Sequence, residues 1–167
     1  MLPDDIHVLK DYLTAQGIRF VEHRLQTDYQ FALEDGVQKA PFVSGSLGIH
    51  WKEREIHTCG YIEWPHILHE AGHILCEPVH PNHKDSADNS FLGWEMAVVQ
   101  HLGLSWMTWY KNNRDYGLCD EINGTFYDEI GSLKYESDDF KCFTTLYLDD
   151  AKSRKLVAED GTPLSVR

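Results

Sequence analysis

The stretch Trp64-Pro65-His66-Ile67-Leu68-His69-Glu70-Ala71-Gly72-His73-Ile74-Leu75-Cys76 decides how this chain is read. At about 100° per residue, measured from Ala71, the side chains of Ile67, Leu68, Ile74 and Leu75 fall within about 60° of one direction. His69 and His73 fall nearly opposite them and about 40° from each other. One face is therefore built for a core, and the other carries two imidazoles one helical turn apart, the spacing at which both can hold one metal ion. Glu70 then lies beside that ion, where a carboxylate can take a proton from metal-bound water. Pro65 suits the first turn of a helix and Glu77-Pro78 supplies its stop, so the spacing predicts a helix over 64–76.

The bulk composition sets the frame. A chain of 167 residues, 42% hydrophobic and 12% aromatic, can bury one real core and has little room for two, so one domain spanning 1–167 is expected. Fifteen Lys plus Arg against 27 Asp plus Glu leave a formal charge of -12, which repels a phosphate backbone and an anionic lipid surface alike. Direct nucleic-acid binding and membrane association are not expected. Cys59, Cys76, Cys119 and Cys142 form no CxxC pair and read as buried thiols. The N-terminus carries no apolar signal-like segment, and no apolar run approaches the length of a membrane span. A cytoplasmic location follows as the expectation.

Around the central helix the pattern is α+β. Ile6, Leu9 and Leu13 have helical spacing between Pro3 and Gln16, and Gly17 is a stop signal. Ile18 to Glu22 reads as a short strand, Gly48 to Thr58 as strand pairing, and Ser44-Gly45-Ser46 as a turn between them. A second helix is predicted from Asn89-Ser90 through Leu102, with the segment Leu104 to Tyr110 extending it. A further helix is expected over Phe140 to Lys155, followed by a small hairpin around Asp160-Gly161.

A catalytic zinc has three protein ligands and one open position, so a third ligand is needed beside His69 and His73. The candidates are Glu95, His80 and His83. On the second helix Phe91, Val98, Val99 and Leu102 surround Glu95 in one apolar stripe, which puts a carboxylate in the middle of a buried face. Such burial is costly unless a metal, a salt bridge or a backbone partner offsets it. The HExxHxxGxxH scheme does not apply, because position 79 is Val and position 76 is Cys.

His69-Glu70-Ala71-Gly72-His73 is the HExxH signature of zinc-dependent hydrolases. With Glu95 on a following helix the chain resembles the gluzincin arrangement, and from about Gly48 to Leu104 it resembles the small ImmA/IrrE-type metallopeptidases. The resemblance implies a small zincin-like α+β domain with both helices packed on a short antiparallel or mixed sheet. It also implies Zn2+ held by His69, His73 and Glu95, Glu70 as general acid/base, and a protein or peptide substrate. An oxyanion donor is still needed, with His101, Tyr110, Arg114 and Tyr116 as candidates and His66 as a supporting residue. Two other readings stand beside the endopeptidase: a zincin-fold binding or regulatory module with a non-catalytic zinc, and an aminopeptidase. Oligomeric state is not legible in the sequence.

Overall fold

The computed structural model describes residues 4–32, 38–41, 45–76, 89–115 and 138–164. They form an α+β fold whose chain divides into two compact units, residues 1–75 with 165–167, and residues 76–164.

The first unit is built on α1 (Asp5–Ala15), β1 (Arg19–His23), α2 (Gln26–Ala32), β2 (Gln38–Pro41), β3 (Gly45–His50), β4 (Glu55–Gly60) and all but the last residue of α3 (Trp64–Cys76). Its sheet is mixed, in the order β1-β4-β3-β2, with β1 parallel to β4 and the other neighbours antiparallel. Gly45 and Ser46 are strand residues, paired with Gly60 and Cys59, and not the expected turn. The real turn is residues 51–54, where Trp51 is 41% exposed and Arg54 takes a positive φ of 55°. Neither α2 nor β2 is visible as a periodic pattern in the sequence.

Register assigns the two faces of the sheet. Phe20, Glu22, Ile56, Thr58, Leu47 and Ile49 share one face, because directly paired residues point the same way. Against it lies α1, whose Leu9 and Leu13 are fully buried and whose Lys10 forms a 2.7 Å ion pair with Glu22. Gly17, at φ 89°, ends α1 as the sequence implies, with Ile18 N–H reaching back to the Leu13 carbonyl. The opposite face carries Arg19, Val21, His23, Glu55, His57, Cys59 and His50, and α2 brings Tyr29 to it beside Cys59. Glu55 to Cys59 are all buried, as befits a central strand covered on both sides.

The second unit holds α4 (Asn89–Leu102), α5 (Trp106–Asp115) and α6 (Asp138–Ser153). The helix expected to run on through Tyr110 breaks instead. Gly103 adopts φ 66°, Leu104 N–H bonds the Val99 carbonyl, and the Ser105 hydroxyl accepts from Thr108 N–H at 3.2 Å, so one helix is closed and another capped within three residues. Gly93 sits where α4 meets α6, and a Cβ there would stand 2.1 Å from the Tyr147 carbonyl oxygen. The C-terminal hairpin is present, with Val157 bridged to Pro163 and Ala158 N–H bonded to the Thr162 carbonyl. No helix among the described residues is long and apolar enough to cross a membrane.

Candidate metal centre

Helix α3 brings His69, Glu70 and His73 together. His69, Glu70 and His73 each offer a ligand atom, and these atoms lie within 4.8 Å of one another. For three atoms equally spaced at that limit, an ion in their plane would sit about 2.8 Å from each, so a modest rotamer adjustment is needed to reach the 2.0–2.1 Å of a Zn–N bond. The two imidazoles stand with ring centroids 5.0 Å apart and planes at 88°, and neither ring blocks the other. Unlike a simple amphipathic helix, α3 is buried along its whole length. The ligand face is covered as well as the apolar one: His66, His69, Glu70 and His73 are 6–8% exposed. A covered, mostly dry donor set strengthens its interactions with an ion. The donor set fits a zinc-type ion: His69 and His73 present two imidazole nitrogens from one helix, with the Glu70 carboxylate beside them.

Around this trio the electrostatics are uneven. Burial, with His69 nearby, depresses the His66 imidazole to about 4, so it stays neutral. Tyr29, which sequence reasoning missed, is 2% exposed, and its hydroxyl has no hydrogen-bond partner among the described residues. Burial, then the charge of Glu70, then Cys59, pushes that phenol up to about 12. Tyr29 is thus a neutral O–H donor within electrostatic reach of Glu70. Nothing in its local sequence signals this, because α2 is too short to show a clear period.

Glu95 stands on α4 in the second unit and is fully buried, as its apolar stripe implied. Val98 and Val99 are buried with it, and the Phe91 side chain lies outside the described residues. An indole reaches it: Trp109 Nε1 donates to Glu95 Oε1 at 3.2 Å. His80, His83, Tyr116 and the Arg114 side chain lie outside the described residues, while His101 is exposed and Tyr110 buried. Cys59 and Cys76 are buried thiols outside any disulfide, as expected; Cys119 and the Cys142 side chain also lie outside the described residues.

A second donor cluster, also missed from sequence, lies on the sheet. His50, Glu55 and His57 likewise bring ligand atoms within 4.8 Å of one another. The usable signal was a histidine before a four-residue turn and a Glu-Ile-His just after it, which only the hairpin register turns into one face. A cavity of about 340 Å³ in the first unit is lined by residues including Lys10, Glu22, Thr58, Tyr61 and Ile67. It meets α3 at Ile67, on the apolar face opposite the histidines, and so is separate from the metal centre.

No protein-family profile, curated protein or solved structure matches this chain. The HExxH cluster of α3 itself therefore carries the functional reading, as a zincin-like metal-binding arrangement.

Proposed function

We propose that this protein is a zinc-dependent metalloendopeptidase of gluzincin type, similar to the ImmA/IrrE metallopeptidases, working as one zincin-like domain on a protein or peptide substrate. The observation that carries the reading is the buried His69-Glu70-His73 cluster on a single helix. His69 and His73 would hold the ion, and Glu95 is proposed as the third ligand because it is a carboxylate kept fully out of water. Zinc, when bound, polarises the scissile carbonyl and brings the pKa of water near neutrality. Glu70 takes the proton of the attacking water and later delivers it to the leaving amine. Tyr29 supports the same chemistry: a phenol held neutral near Glu70 can donate to an oxygen that gains negative charge during attack. Buried thiols outside any disulfide at Cys59 and Cys76 suit a reducing, cytoplasmic setting, and the acidic chain disfavours nucleic acid as a direct partner.

The test pairs metal analysis with cleavage profiling on a denatured proteome. Wild type should cleave, and Glu70→Gln should keep its zinc yet lose most turnover, since an amide fills the space but accepts no proton. Equal biological activity in the two proteins would favour a binding module with a non-catalytic zinc.

A further inference from the structure

On the sheet face opposite α1, β3 ends at His50 and β4 begins at Glu55, the two paired across the four-residue turn 51–54. His57 follows Glu55 on the same face. Its direct neighbours in register are Val21 and Gly48, and the glycine offers no side chain to fill the space between His57 and His50. The His50 and His57 rings accordingly approach to 5.1 Å between centroids, at 71°. His23 stacks on the other side of His57, with centroids 5.2 Å apart and planes within 13°.

We infer that His50, Glu55 and His57 form a second divalent-metal site, of the two-imidazole, one-carboxylate class that suits zinc or a neighbouring first-row ion, with His23 orienting His57 from outside.

Three features support this. First, His57 Nε2 and Glu55 Oε1 are 3.2 Å apart. Two ligands on one tetrahedral zinc with bonds near 2.0 Å are separated by about 3.3 Å, so this edge already has the required length. Second, His57 Nδ1 lies 2.9 Å from His23 Nε2. A ligating imidazole characteristically spends its other nitrogen on such a hydrogen bond, which fixes both tautomer and ring orientation. Third, the two oxygens of Glu55 have separate work: Oε2 pairs with Arg19, and Oε1 faces His57. The hairpin end is also pinned in place, since the Arg54 guanidinium donates to the Gln16 carbonyl at 2.8 Å and Arg19 N–H bonds the Arg54 carbonyl at 2.9 Å. His57 and Glu55 are buried while His50 is only half-buried, giving an ion a path from solvent and leaving a position open to water.

The competing arrangement is metal-free: His23 donating to His57, and His57 to Glu55. The experiment separates the two. Chelator-stripped full-length protein is titrated with ZnCl2 by calorimetry. Wild type should take up two ions. The His69→Ala/His73→Ala variant should still bind one, with a rise in melting temperature. Adding His50→Ala or Glu55→Gln to that background should weaken this binding at least 10-fold. His23→Ala should weaken it by about 10- to 100-fold, as loss of an outer hydrogen-bond partner does. His57→Ala serves as well where circular dichroism shows it folded; otherwise His50→Ala decides, because His50 is not fully buried and its loss opens less of a gap than loss of the buried His57. No zinc uptake by the His69→Ala/His73→Ala variant, or uptake that His50→Ala leaves unchanged, would overturn the site and leave the hydrogen-bonded network in its place. The outcome is independent of the proposed peptidase, whose ion is removed by the background variant itself.

Discussion

The indole of Trp109 donates to the buried carboxylate of Glu95 at 3.2 Å, joining α5 to α4. A fixed donor on one oxygen orients a carboxylate and raises its value as a ligand through the other. Trp109→Phe keeps the aromatic bulk and removes the N–H. If Glu95 is a zinc ligand, as proposed, this change should lower zinc affinity by about 10-fold, read by competition with a chromogenic chelator. Unchanged affinity, together with full zinc content in Glu95→Gln, would remove Glu95 from the ligand set.

Tyr29→Phe tests the proposed oxyanion donor. Deleting a buried hydroxyl that has no partner among the described residues should leave stability level or slightly raised, because no hydrogen bond is lost and a desolvated polar group is gone. If Tyr29 acts in turnover, kcat should fall by about 10²–10³ while zinc affinity stays put. A loss of stability with unchanged kcat would assign Tyr29 to packing alone.

Gly93→Ala should destabilise the second unit. The added methyl would meet the Tyr147 carbonyl at 2.1 Å and the Ala151 Cβ at 2.8 Å, and backbone cannot swing aside as a side chain can. Forced overpacking of this kind costs about 1–3 kcal/mol, and a carbonyl collision belongs at the upper end. Urea denaturation measures it.

Lys155→Gly should act the other way. Lys155 closes α6 at φ 62°, with Leu156 N–H bonded to the Ala151 carbonyl, and its side chain is exposed. A side chain in that left-handed region costs about 1 kcal/mol that glycine avoids. The urea midpoint should therefore rise, and a fall would mean that the lysine stem makes packing worth more than the strain.

The zinc-free protein should lose stability in mild acid. His57 and His66 are both depressed to about 4 from the ordinary 6.5, so the unfolded chain binds their protons first as pH falls. Their contribution is complete above about 6.5 and is lost progressively toward about 4. Urea midpoints from about pH 7.5 to about 4.5 should decline, and His57→Gln should flatten the decline if it remains folded.

What the sequence determined by itself is what a helix encodes locally. Residues four apart share a face whatever surrounds them, so the His69–His73 pair, its apolar backing and the buried position of Glu95 were legible from spacing alone. The Gly17 stop is local in the same sense. The segment Gly103 to Ser105 also held its signals, a left-handed glycine and a serine cap, but the apolar run on both sides outweighed them and one helix was expected where two stand. Tertiary structure decided the rest, because a sheet joins residues through register and not through spacing. Gly45-Ser46 has the composition of a turn and became strand because Gly60 and Cys59 pair with it. Trp109 reached Glu95 only once that helix had broken. His23 and His57, 34 positions apart, meet only because β1 lies parallel to β4, and His50 joins them only because the turn spans residues 51–54. A shift of one residue in either register would send those imidazoles to the opposite face.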